Sequence, residues 1–392
     1  MPIIEKNLSR SFQEFFNSEK SSGILLILCT LVSLLLANSL IGTHYLQFWQ
    51  TRIAGLSIGQ WINDALMAVF FLLIGLELER ELYVGELSNF RKALLPMFAA
   101  LGGVLAPALI HYSLNAGTPA EAGFGIPMAT DIAFALGVLA LLGSRVPWSL
   151  KVLVVAYAVI DDLCAIIVIA VFYTAELSTA YLLAALAVWG VLLVFNRMFR
   201  VMALLPYLIG GTLMWVLMLK SGVHATIAGV MLAFAIPFSH RDDDAASPSH
   251  RLEHMLHKPV AFIILPVFAL ANTGVVIGAD WLQSLSSANG LGIVAGLLLG
   301  KPAGVVLFCL VAVATGLCRL PDDLGWRHVL GAGILGGIGF TMSIFITNLA
   351  FAGDPAAINA SKMAIFLASL TAGTVGFLWL KWVCRSGSAD KA

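Results

Sequence analysis

Charge is what this chain has least of. Only 11% of its 392 residues are Asp, Glu, Lys or Arg, against about 25% in a typical soluble domain. The hydrophobic share is 60% and the mean hydropathy is +0.94, an excess that no soluble core absorbs. Charge of one sign is missing too: 22 basic and 22 acidic residues cancel, so nothing indicates a polyanionic partner, and nucleic acid is not expected as a ligand. The five cysteines, Cys29, Cys164, Cys309, Cys318 and Cys384, are scattered and odd in number, without a CxxC spacing. That excludes a disulfide framework and a cysteine zinc site. No polar interval is long enough for a soluble domain, the longest running from about Ser239 to Lys258. Nor does the chain open on a cleavable signal: Met1 to Lys20 is polar and amphipathic through Phe12, Phe15 and Phe16, and no small-residue cleavage pattern follows. It reads as a retained interfacial stretch.

What remains is a series of apolar runs. About 20 such residues cross the hydrocarbon core of a bilayer, and the runs predict twelve spans, at 12-38, 60-80, 94-114, 123-142, 149-174, 181-199, 204-220, 223-238, 259-278, 290-317, 326-350 and 358-383. The expected fold is an all-α polytopic membrane protein forming a single transporter domain. Twelve is even, so both termini share a side. Basic residues favour the cytoplasmic side of spans. One side holds Lys6, Arg10, Lys20, Arg80, Arg91, Lys92, Arg145, Lys151, Arg197, Arg200, Arg241, Arg251, Lys258, Arg319, Arg327, Lys381, Arg385 and Lys391; the other has only Arg52, Lys220 and Lys362. This asymmetry predicts that both termini are cytoplasmic.

Four charged residues sit near the middle of spans: Asp131, Asp161, Asp162 and Lys301. A charge near the bilayer centre costs about 2.5–3.5 kcal/mol on insertion scales, so it usually lines a pathway or meets a partner. Consecutive residues on a helix point about 100° apart, so Asp161 and Asp162 cannot face one ligand equally. One is expected to face a cavity and bind a cation while the other turns toward Lys301; spacing does not say which. Neighbouring carboxylates in a low dielectric repel each other, and at least one gains affinity for a proton. Such a group holds either a proton or a small hard cation such as Na+, and exchanging one for the other is antiport. The competing reading makes these charges ion-paired glue between helices.

Two spans are built to unwind. The fourth opens with Gly123, Gly125 and Pro127 ahead of Thr130 and Asp131, and the eleventh carries Gly331, Gly333, Gly336, Gly337 and Gly339 ahead of Phe340 and Thr341. Glycine and proline weaken helix, and irregular backbone at membrane depth survives only where protein or water satisfies it. Spans seven apart run in opposite directions, as an inverted repeat of spans 3-5 and 10-12 requires, over about 94-174 and 290-383. Close helix packing is the alternative for any single glycine, including Gly292, Gly296 and Gly300.

Several stretches together resemble the NhaA family of sodium/proton antiporters over nearly the whole chain: NDALMAVFFLLIGLELERE from Asn63 to Glu81, TDIAFALGVLALLGSR from Thr130 to Arg145, IDDLCAI from Ile160 to Ile166, GKPAG from Gly300 to Gly304 and GGIGFTMSIFI from Gly336 to Ile346. Their order and spacing carry the resemblance. It implies spans 4 and 11 broken and crossing near Asp131 and Lys301, and electrogenic exchange of more H+ inward than Na+ or Li+ outward, in a bacterial inner membrane and with no cofactor. Gly/Pro-interrupted segments in corresponding halves point to a transporter site, the NhaA family being one of the known examples. By position, the resemblance makes Asp162 the principal carrier, Asp161 its companion paired with Lys301, Asp131 the compensator of half-helix charges, and Thr130 part of the crossing. It also implies pH regulation through Glu77, Arg80, Glu81, Arg251, Glu253, His254 and His257 at a cytoplasmic funnel, with His224 affecting the response. A hairpin at about 45-58 is the implied contact of a homodimer. Cys164 departs from the family pattern, which commonly has glycine there.

Two further motifs are coincidences of spelling. HRLEH at 250-254 matches a zinc peptidase pattern but stands in a short loop without an evident acidic ligand downstream. TVGF at 374-377 resembles part of a potassium filter but occurs once, mid-span. An intramembrane aspartyl protease needs two acids opposed across a substrate, usually from separate helices, and no GxGD occurs here. A channel, or a transporter of another cation, is separated from the antiport reading by strict coupling.

Overall fold

The computed structural model describes residues 21–174, 177–238, 247–278 and 281–386. The N-terminal amphipathic stretch, Arg241 and Lys391 lie outside the described residues. In chain order the helices are α1 (Ser21–Ala37), α2 (Gly42–Gln50), α3 (Ile58–Tyr83), α4 (Phe90–Asn115), α5 (Ile132–Leu142), α6 (Trp148–Phe172), α7 (Thr179–Arg197), α8 (Leu204–Ser221), α9 (Ile227–Ala233), α10 (Pro248–Asn272), α11 (Trp281–Ser286), α12 (Ala288–Ala314), α13 (Trp326–Gly336), α14 (Phe340–Ala350) and α15 (Pro355–Ser386). Among the described residues the strands are the two-residue β1 (Arg52–Ile53) and β2 (Leu56–Ser57), paired antiparallel. They form a hairpin inside the expected 45-58 segment.

Among the described residues nine helices are long and apolar enough to cross a bilayer, or up to eleven if each bent pair counts as one span. The eighth expected span, 223-238, is the point of difference. Its only helix is the seven-residue α9, about 10 Å long at 1.5 Å per residue, too short to span alone. The segment is nonetheless largely buried, where protein rather than lipid meets its irregular backbone. A second difference concerns the expected loop before span 9. Helix begins already at Pro248, with Ser247 and proline at its start, so Arg251, Glu253, His254 and His257 are helical.

The chain forms two compact units. One takes residues 1–34, 91–161 and 275–392, the other 35–90 and 162–274. Helix α6 contributes to both, with Asp161 in the first and Asp162 in the second.

In the first unit α4 and α12 approach closely because glycine faces glycine. A Cβ on Gly102 would lie 2.1 Å from the Gly304 carbonyl oxygen, and the reverse distance is also 2.1 Å. No side chain fits between them. Near Lys301 the α12 helix widens into a π-turn over Gly296–Gly300, an irregularity frequent at functional sites. A buried polar layer joins α4, α12 and α15. Asn289 Nδ2 donates to Ser361 Oγ at 2.8 Å, which leaves Oδ1 3.1 Å from His111 Nε2. Asn115 Nδ2 donates to the carbonyls of His111 and Ala288. In the second unit α9 packs on α3, and α7 with α8 supplies a core around Leu192, Tyr207, Met214 and Leu232.

Candidate functional site

The fourth expected span begins as a 3-10 turn over Pro119–Met128, runs extended through Ala129 and Asp131, and resumes as α5. Glycine and Pro127 leave the first part without a regular helical ladder. The eleventh breaks between α13 and α14, which are bent by 46°. Gly336 ends the first half, Gly337 caps it, and Gly339 precedes Phe340.

Backbone freed by one break is satisfied by the other. Asp131 N donates to the Ile338 carbonyl at 2.6 Å, Thr130 Oγ1 to the Gly336 carbonyl at 2.9 Å, and Ser343 Oγ to the Ile126 carbonyl at 2.7 Å. The Asp131 carboxylate accepts from Phe134 N at 3.2 Å, the N-cap bond of α5, and from Thr341 N at 3.0 Å and Thr341 Oγ1 at the start of α14. One carboxylate therefore caps two helix N-termini. Each presents unsatisfied N–H groups and the positive end of a helix dipole, so a negative charge is stabilised there.

The positive charge stands at the complementary place. Lys301 is wholly buried, and its Nζ lies 2.6 Å from Asp161 Oδ2. The same Nζ donates to Thr130 Oγ1 at 2.6 Å and to the Tyr157 hydroxyl at 3.3 Å. Through Thr130 the ammonium is linked to the Gly336 carbonyl, at a helix C-terminus where cations are favoured. Removing one member of a buried ion pair typically costs about 3–5 kcal/mol, because the other charge is stranded. Asp162, the next residue on α6, is also buried, at 1% exposure.

The residues expected at the funnel divide into two groups. On α3 and α10, Arg80 Nε lies 3.1 Å from Glu253 Oε1, Arg80 Nη2 3.6 Å from Glu81 Oε1, and His257 Nδ1 4.0 Å from Glu77 Oε1. Arg251 and His254, by contrast, are exposed on α10, with no ion pair shown among the described residues. His224 sits between α8 and α9, its Nε2 donating to the Tyr173 carbonyl at 3.0 Å, which fixes the proton on that nitrogen. Among the described residues no group of three or more His, Cys, Asp or Glu gathers as a metal site, so HRLEH finds no third ligand there.

The break stitched by Asp131 and the buried Lys301–Asp161 pair lie together in the first unit. Comparison with known proteins decides the family. The model of the family described as Na+/H+ antiporter 1 matches residues 13–380. The chain belongs to that family. A Na+/H+ antiporter NhaA of Dechloromonas aromatica is 71% identical over 382 residues, 97% of this chain and 98% of the relative. One from Cytophaga hutchinsonii is 58% identical, covering 96% and 97% of the two chains. One from Vibrio campbellii is 48% identical, covering 94% of each.

Members of the Na+/H+ antiporter 1 family are secondary transporters, not enzymes. Three contacts of this member were not read from its sequence. Thr341 lies in the GGIGFTMSIFI stretch, but nothing in sequence spacing pairs it with Asp131, 210 residues away. Glu79 is buried on α3 and accepts from Ser249 Oγ at 3.4 Å, hidden among the acids at that helix end. Tyr157 precedes Asp161 by four residues, one turn along the same helix face, and that spacing was the signal available.

Proposed function

We propose that this chain is an electrogenic secondary antiporter that exports Na+, or Li+, in exchange for inward H+. Cation and proton compete for the buried carboxylates Asp161 and Asp162. The observation that carries this reading is the fully buried Lys301–Asp161 pair on a helix whose next residue is a second buried aspartate. Family membership supports it, and the relatives named above are called Na+/H+ antiporters.

Asp162 is the principal carrier. Its carboxylate takes a cation from one side and gives it up to protons on the other, and two carboxylates provide for more H+ than Na+ per cycle, hence net charge movement. Asp161 alternates between Lys301 and the cargo. Asp131 caps the two helix N-termini with its carboxylate oxygens and holds the crossing of spans 4 and 11 together. Their inverted repeats place the breaks at one depth within twelve spans. At the α3–α10 contact, His257 takes up a proton only as pH falls. Protonated His257 pairs with Glu77 and holds the transporter in a resting state, so activity rises as pH rises and the pair is lost. The protein sits in a bacterial inner membrane with both termini cytoplasmic and dimerises through the β1–β2 hairpin.

Inside-out vesicles carrying a respiration-driven proton gradient test the reading. Added Na+ or Li+ is expected to dissipate the gradient through the wild type and to do nothing through Asp162→Asn. Sodium crossing at channel rates without proton countermovement contradicts it.

A further inference from the structure

Tyr157 is 1% exposed and one helical turn before Asp161. Both its ends meet Lys301: Nζ donates to the phenolic oxygen at 3.3 Å and lies 5.6 Å from the ring centroid. An ammonium has three donors. Here Asp161 Oδ2, Thr130 Oγ1 and the Tyr157 hydroxyl each take one, and of these only the first is anionic. The Tyr157 hydroxyl also lies 3.2 Å from Thr130 Oγ1. Because Thr130 spends its own proton on the Gly336 carbonyl, the tyrosine is the donor in that contact. The seat for this hydroxyl is cut from two helices. A Cβ on Gly336 would stand 2.4 Å from the phenolic oxygen, and one on Gly103 3.0 Å from it.

We propose that Tyr157 is a positioning residue for exchange: its hydroxyl and ring retain the Lys301 ammonium when Asp161 is given over to a cation or a proton. The proposal rests on the reading of Asp161 and Lys301 above. A buried ammonium that loses the Asp161 carboxylate follows it unless other acceptors hold it. Thr130, Tyr157 and the negative face of the ring are those acceptors. Tyr157 thereby lowers the cost of separating Lys301 from Asp161, and cation binding requires that separation. Its contact with Thr130 also ties the ammonium to the end of α13, so the site's occupancy is felt at the broken helix.

The test is a double-mutant cycle on the purified full-length protein. Na+ binding is measured by calorimetry and Na+/H+ exchange in proteoliposomes, for wild type, Tyr157→Phe, Lys301→Gln and the double variant. Tyr157→Phe is expected to raise both Kd and KM for Na+ about tenfold, the scale of one hydrogen bond to a charged group, with maximal rate within about twofold. In the Lys301→Gln background it is expected to add nothing. Tyr157→Leu, which loses ring and hydroxyl together, is expected to raise KM further. An unchanged KM in monodisperse Tyr157→Phe protein overturns the proposal, and so does an equal increment with and without Lys301, which marks packing alone. A Lys301→Gln protein with wild-type Kd and KM would instead refute the underlying reading of Lys301, and the two failures are distinct.

Discussion

At the scale of the residue, the candidate site is an arrangement of four charges. Asp131 meets the N–H groups of two helix starts, Lys301 meets a carboxylate and two hydroxyls, and Asp162 is buried beside Asp161. Thr341→Val removes one donor to Asp131 while keeping shape. It is expected to cost about 1–3 kcal/mol of stability, read as a lowered melting temperature in detergent, and to spare the overall fold. At the α3–α10 contact the two histidines separate. His257 faces Glu77 at 4.0 Å, whereas His254 is exposed. His257→Ala is expected to let exchange begin at lower pH, since the low-pH pair is gone, while His254→Ala leaves the profile as in wild type. Exchange measured across pH 6 to 9 distinguishes them. The four charges were legible in the sequence because each interrupts an apolar run. The identity of the lysine's partner was not: consecutive residues on a helix differ in direction, but sequence does not say which direction faces which neighbour.

At the scale of the element, breaks and close approaches do the positioning. The interruptions around Pro127 and Gly336 were visible because glycine and proline are poor in helices whatever surrounds them. The shortness of α9 was not, since an apolar run cannot by itself distinguish a span from a short buried helix. The π-turn before Lys301 was equally hidden; its Gly300 lies against Pro107 of α4. That packing is testable at Gly304, where an added Cβ meets the Gly102 carbonyl at 2.1 Å. Gly304→Ala is expected to force α4 and α12 apart, at about 1–3 kcal/mol, and to weaken exchange with it. Gly190→Ala on α7 meets nothing within 4 Å and serves as the control. Equal melting temperatures for the two variants count against a tight crossing. In the polar layer, Asn289→Ala leaves His111 Nε2 without its acceptor and is expected to cost a further 1–3 kcal/mol, or about that.

At the scale of the whole molecule, composition and the distribution of lysine and arginine made a polytopic membrane protein legible from the sequence alone, because burial in lipid constrains every span alike. The division into two units with α6 shared between them was not, since it depends on which helices touch. Parity tests the number of crossings. Twelve crossings put both termini on the cytoplasmic side, whereas failure of the 223-238 segment to cross puts them on opposite sides. Tags at each end are expected to be accessible only from the cytoplasm. If Na+ and H+ compete for the same buried carboxylates, the apparent KM for Na+ in proteoliposomes without a pH gradient depends on pH. Where one proton competes with one cation, KM is predicted to rise about tenfold for each unit of falling pH, one unit being worth about 1.4 kcal/mol, with maximal rate at saturating Na+ little changed. A KM that stays constant from pH 6 to pH 9 contradicts the account.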